Sequence, residues 1–207
     1  SRWNELSDTI LGIGELATAL GARTDFHLLN GTSQGQAFSI ADDGTAPVGK
    51  IAAPVDLKQL QSKIRSISPS GSTPLTESVL SIVSLLEPAA DKLRSRGQKA
   101  VVVLATDGMP NDKASFLQAL RELQRLPIWL VVRLCTDDDA VVEYWNELDG
   151  ALEVEMEVLD DEYGEAAEVH GVNGWLSYGP PLHRAREFGL HHKIFDLLDE
   201  QPLVPSQ

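Results

Sequence analysis

Ser70, Ser72 and Thr73 place three hydroxyls in a loop that contains Gly71 and ends at Pro74, within "SPSGSTPLTES" (68–78). Hydroxyl oxygens are hard, neutral ligands. With a carboxylate and waters they suit Mg2+ or Mn2+, which are bound through oxygen. The same loop also has a simpler use, in which Ser72 or Thr73 caps the helix that follows. It lacks the lysine that a phosphate-cradling loop requires.

A carboxylate that could join these hydroxyls stands at the end of another segment, "KAVVVLATDGMPND" (99–112). Ala100 to Ala105 form a continuous apolar run rich in β-branched residues, the pattern of a strand covered on both faces. Thr106, Asp107, Gly108 and Pro110 break the run, and Asn111 or Asp112 offers an N-cap for a helix. Ligands of open parallel sheets sit beyond the carboxyl ends of the strands, where Asp107 would stand.

Two other constellations carry less chemistry. "LGIGELA" (11–17) fits the glycine pattern of dinucleotide-binding folds, but that pattern needs a preceding strand and a turn. Here a helical period runs straight through it, so the reading is a packed helix that tolerates glycine. "NGWLSYGPPLHRAREFGLHHKIFDLLDE" (173–200) holds His183, His191 and His192, and their spacing matches no zinc pattern. Trp175, Tyr178 and Leu182 either pack on the domain or form a partner surface.

The elements that must position these residues alternate. Trp3, Leu6, Ile10, Ile13, Ala17 and Leu20 recur at helical spacing, with Gly21 placed to end the helix. Strands are expected over 25–30 and 36–41, joined through an Asn30-Gly31 turn that also fits a glycosylation sequon. Helices follow over 55–67 and 74–93, then the strand at 100–105, a helix over 112–126, a buried strand over 127–135 and a helix over 137–148. "LEVEMEV" (152–158) alternates, with Val154, Met156 and Val158 inward and charged glutamates outward, as suits an edge strand. From about Asp160 the pattern is less regular, although Ile194, Leu197 and Leu198 suit one face of a final helix. This order predicts an α/β fold, a doubly wound and mostly parallel sheet with helices on both faces.

Gly71-Ser72-Thr73-Pro74-Leu75, followed some thirty residues later by an apolar strand ending Thr106-Asp107-Gly108, resembles the von Willebrand factor type A domain. "RWNEL" near the start is similar to the first helix of that family, and the resemblance runs from about Ser1 to about Val158. It implies residues 1–159 as an N-terminally incomplete domain of this kind, with 160–207 a helical segment completing it or added to it. It further implies a metal-ion-dependent adhesion site in which Thr73 and Asp107 are ligands of Mg2+ or Mn2+. The first metal motif of the family, Asp-x-Ser-x-Ser, is nowhere in the sequence. In the family it ends a central strand that precedes the first helix. That strand and its three ligands would lie upstream of Ser1, and without them the sheet has a gap and the metal binds weakly or not at all.

Composition narrows the partners. A formal charge of −14 excludes the basic footprint of a general nucleic-acid binder. Fourteen carboxylates and no Lys or Arg lie between Asp137 and Glu168, a block that reads as a solvated acidic surface. No apolar stretch approaches a membrane span, and no signal peptide is visible. The single cysteine, Cys135, excludes an internal disulfide framework, suits a reducing, intracellular setting and sits in a strand-like context as a core thiol. The function implied by the resemblance is a protein-interaction module whose partner offers an Asp or Glu to the metal. The alternatives are a metal-independent scaffold of the same fold, and a metal-dependent hydrolase acting through Asp107. The hydrolase would need a base near Asp107, and the only histidines other than His27 lie at 170 and beyond.

Overall fold

The computed structural model describes residues 2–32, 35–41, 55–68, 71–136, 138–151 and 156–204. Contacts divide the chain into two compact units. The first holds Trp3–Ala100 and Met109–Ile128; the second holds Arg2, Val101–Gly108 and everything from Trp129 onward.

In the first unit, α1 (Arg2–Leu20) buries Ile10, Ile13 and Ala17 as its period requires, while Leu20 at the frayed end stays exposed. Gly14 sits where a Cβ would come within 2.5 Å of Leu60 Cδ2, so the glycine of "LGIGELA" exists for close packing. That disposes of the cofactor turn: the segment is helix from end to end. Strands β1 (Thr24–Thr32) and β2 (Gly35–Ile40) pair antiparallel, with Thr24 opposite Ile40 and Thr32 opposite Gly35. β1 therefore runs on through Asn30-Gly31, the expected turn, and its pairing with β2 shifts register between His27 and Thr32.

Helix α2 (Leu57–Ser66) starts on a capping box, with Asp56 accepting from Gln59 N and the Gln59 side chain accepting from Asp56 N. It buries Leu60 and Ile64. The long helix expected over 74–93 is instead α3 (Leu75–Leu86), a 3-10 turn at Glu87–Ala89 and α4 (Ala90–Ser95). Pro88 explains the break, since it has no N–H to continue the ladder. α3 packs against α5 (Lys113–Leu123), bringing Leu75 and Val79 into the same core as Phe116 and Leu120. Each such side chain contributes about 1.5–3 kcal/mol when fully buried.

The second unit is an α/β layer around a three-stranded parallel sheet in the order β3 (Ala100–Thr106), β4 (Ile128–Leu134), β5 (Met156–Leu159). All seven residues of β4 are buried, the signature of a central strand. α6 (Asp139–Ala151) places Trp145 wholly inside, its indole N–H donating to Gly108 O at 3.3 Å. The irregular tail resolves into α7 (Glu162–Val172), α8 (Pro180–Glu187) and α9 (Lys193–Asp196), all in this unit. Val169, Leu198 and Leu203 form their core, with Tyr178 and Leu182 packed against it.

One expected pattern is corrected. The glutamates of 152–158 were to point outward, yet Glu157 on β5 is buried. Arg186 on α8 reaches it, and a paired carboxylate can occupy an interior position that a lone one cannot. Val154 lies outside the described residues.

Candidate functional site

Asp107 opens the bend that follows β3, at the carboxyl end of the strand. The bend holds itself: Thr106 Oγ1 accepts from Gly108 N at 3.2 Å and donates to Gly108 O at 3.2 Å. With Trp145 also on Gly108 O, the backbone is fixed while the Asp107 carboxylate projects to solvent. Its neighbour is Arg2, whose Nη1 lies 3.8 Å from Asp107 Oδ2, the two side chains being 52% and 56% exposed. An exposed pair at that distance is worth little in stability.

Thr73 lies in the first unit and Asp107 in the second. Thr73 is half-buried, and its carbonyl accepts from Leu75 N at 2.8 Å. The capping alternative for this loop does not hold: the N-cap position of α3 is Pro74, and no side chain caps the helix. The loop is held from β1 instead. Asn30 Nδ2 donates to Ser72 O at 2.8 Å, and Gly71, at φ +111°, passes so close to Asn30 that a Cβ would come within 2.8 Å of its side chain. Ser70 lies outside the described residues.

Mg2+ needs a near-octahedral set of oxygens. Within its unit, Asp107 brings one carboxylate, already beside a guanidinium. Among the described residues no group of three or more His, Cys, Asp or Glu side chains is placed to hold a metal ion.

The densest cluster of chemically capable side chains lies elsewhere in the second unit, and sequence reading missed it. Arg133 on β4 donates from Nε to Glu187 Oε1 at 2.7 Å, and Arg184 donates to Glu187 Oε2 at 2.6 Å. Arg186 donates from Nε to Glu157 Oε1 at 2.7 Å, and from Nη1 to Glu165 Oε2 at 2.6 Å and Tyr178 Oη at 3.1 Å. Tyr178 Oη lies 3.0 Å from His183 Nδ1, and His183 Nε2 comes within 3.3 Å of Glu187 Oε1 without forming a hydrogen bond. Burial alone would raise the Glu187 pKa, but the close His183, the Arg133 bond and the Arg184 charge hold it down at about 2. Burial pushes the Tyr178 phenol well above its ordinary value, against the pull of Arg186. The signal in the sequence was Arg133 itself, a charge inside the buried run "PIWLVVRLC" that must find partners.

The His183–Glu187 end of this cluster is closed to solvent, while Arg184 stays 29% exposed. His183 and Glu187 are 2% and 0% exposed, so no substrate atom reaches a His–Glu pair there. The other histidines take separate roles: His191 stacks on Trp129 with ring centroids 3.6 Å apart, and His192 caps α9 by accepting from Ile194 N. Cys135 is buried in the same unit, as its strand context suggested. A depression of about 590 Å³ in the first unit is lined by Ile40, Val55 and Leu57, and its Asp56 is tied into the cap of α2. No helix among the described residues is long and apolar enough to cross a membrane. Compared with known proteins, the chain matches no family model and none of the curated proteins.

Proposed function

We propose that this chain is a protein-interaction module of the von Willebrand factor type A kind, doubly wound, whose contact edge is the carboxyl end of its parallel sheet. Asp107 acts there as a ligand of Mg2+ or Mn2+, and a partner's Asp or Glu completes the coordination when the remaining ligands are supplied. The observation that carries the reading is Asp107: an exposed carboxylate on a rigid bend at the end of a parallel strand, the position where such sheets bind ligands. Thr73, which the resemblance implies as a second ligand, lies in a loop that Asn30 braces and that does not spend its hydroxyls on capping.

A bound divalent ion would supply an electrophilic centre for a carboxylate. The residues of this chain orient the site: Thr106 and Trp145 hold the bend, and Asn30 holds the hydroxyl loop. Arg2 favours a second reading, a metal-independent scaffold. Its guanidinium stands beside Asp107 and partly neutralises the charge a metal would use.

Calorimetric titration with Mn2+ and Mg2+ tests the proposal. Weak binding that disappears in Asp107→Ala and Thr73→Ala supports the metal site. Tight binding indifferent to both variants overturns it. No binding in the parent chain or in Arg2→Ala leaves the metal-independent scaffold as the better account.

A further inference from the structure

Two Asn-Gly pairs occur in the sequence, Asn30-Gly31 and Asn173-Gly174. Asn-Gly is the junction at which an asparagine side chain most readily turns on its own backbone, because glycine has no Cβ to shield its nitrogen. The two pairs are alike in sequence and opposite in their surroundings.

Asn173 is 1% exposed, and its amide is fully committed. Nδ2 donates to Leu198 O at 2.7 Å and to Gln201 O at 3.0 Å, and Oδ1 accepts from Leu203 N at 2.7 Å. The carboxamide cannot swing toward the Gly174 nitrogen without abandoning these three hydrogen bonds. Asn30 is half-buried, and Gly31 beside it is exposed. Among the described residues the Asn30 amide has one hydrogen bond, from Nδ2 to Ser72 O at 2.8 Å. The register of β1 against β2 shifts between His27 and Thr32, the stretch that holds this pair, so the ladder is disrupted there.

We propose that Asn30 is a site of spontaneous deamidation, and that the acid formed there frees the hydroxyl loop from β1. The Gly31 nitrogen, losing its proton to solvent base, attacks Asn30 Cγ. The new N–C bond forms, the Cγ–Nδ2 bond breaks, and the amide nitrogen leaves as ammonia after taking up a proton. Water then opens the succinimide at either carbonyl, giving aspartate or, with the chain rerouted through Cγ, isoaspartate. Water is the co-reactant, and nothing is oxidised or reduced. What the loop loses is a donor. Where Nδ2 met Ser72 O, a carboxylate oxygen then faces a carbonyl oxygen, and both are acceptors. Gly71 lies so close to the same carboxamide that the new charge cannot be held away from the loop backbone.

This site is independent of the metal site, which calorimetry tests separately. Peptide mapping by mass spectrometry, after storage of the 207-residue chain in mildly alkaline buffer, reads both asparagines at once. Asn30 is expected to convert to aspartate and isoaspartate about tenfold or more faster than Asn173. In urea, where neither side chain keeps its partners, the two rates converge. Gly31→Ala, whose added Cβ meets nothing within 4 Å, slows conversion at Asn30 alone. Asn30→Asp, one of the two products, raises amide exchange near Ser72 and Thr73 several-fold. Equal rates in the folded chain, or faster conversion at Asn173, overturn the site. So does a ranking that urea leaves unchanged, since the fold is then not its cause. Exchange in Asn30→Asp as slow as in the parent chain overturns the release of the loop.

Discussion

Arg133 on β4 and Glu187 on α8 lie 54 positions apart and meet through a 2.7 Å hydrogen bond, with side-chain exposures of 3% and 0%. The bond fastens the C-terminal helices to the middle of the parallel sheet. Desolvating two such charges roughly cancels their attraction, but removing one partner strands the other in the interior. Glu187→Ala and Arg133→Ala are each expected to lower the unfolding free energy by about 3–5 kcal/mol. Urea unfolding followed by tryptophan fluorescence measures this. The pair Arg133→Met with Glu187→Leu recovers much of the loss, and a loss equal to the sum of the single variants refutes the coupling.

Acid lowers stability in two stages. The folded pKa of Glu187 is depressed to about 2, below its unfolded value of 4.5, so its contribution is full above 4.5 and is lost as pH falls from there toward 2. That contribution is about 3 kcal/mol at neutral pH. Partial desolvation also lowers the pKa of His27 from 6.5, the nearby Asp25 opposing it only in part, but the side chain is exposed and its effect on stability is small. A lowered histidine pKa favours the neutral form in the fold, so this contribution is present above 6.5 and fades below it. Thermal melts between pH 7 and 3 should show an early decline that His27→Gln removes and a steeper one below 4.5 that it leaves intact.

Gly14→Ala sets two effects against each other. Alanine improves helix propensity by about 1 kcal/mol. Its methyl would, however, sit 2.5 Å from Leu60 Cδ2, and Leu60 is fully buried with nowhere to turn. Overpacking costs about 1–3 kcal/mol, so net destabilisation is expected. A melting temperature equal to or above that of the parent chain would show that α1 and α2 can move apart.

Asn30→Ala should loosen the hydroxyl loop without unfolding the chain. It removes the donor to Ser72 O, a bond worth about 1 kcal/mol, and leaves the β1–β2 pairing in place. Amide exchange near Ser72 and Thr73 is expected to rise several-fold while exchange in α5 stays unchanged. The same atom, Nδ2, is where a glycan would attach at the Asn30-Gly31-Thr32 sequon, so modification there would release the loop too.

Local patterning made most elements legible. The apolar spacing in α1 and α2, the β-branched runs of β3 and β4, and Asp112 as the cap of α5 all follow from neighbours within a few residues. Pro88 was read as part of a helix because the apolar period continues across it, although its missing N–H breaks the ladder. α7 was overlooked because Gly164 and Gly171 interrupt its pattern, while Asp161, which accepts from Gly164 N, was a usable start signal. The position of Asp107 at a strand end was readable, since the run and its break are contiguous. Its pairing with Arg2, the bracing of Ser72 by Asn30 and the burial of Glu157 were not. Each joins residues far apart in the chain, and periodicity within one segment says nothing of what lies across from it.

Arg133, Arg186 and the partly exposed Arg184 balance the buried Glu157, Glu165 and Glu187 charge for charge. Any one substitution therefore passes through an intermediate with a stranded charge, whatever the final combination is worth. Descendants of this chain are confined to keeping the six together or exchanging them in matched pairs. In a set of divergent sequences these positions would vary as a correlated block, with Arg133 and Glu187 changing in step while the apolar residues around them drift one at a time.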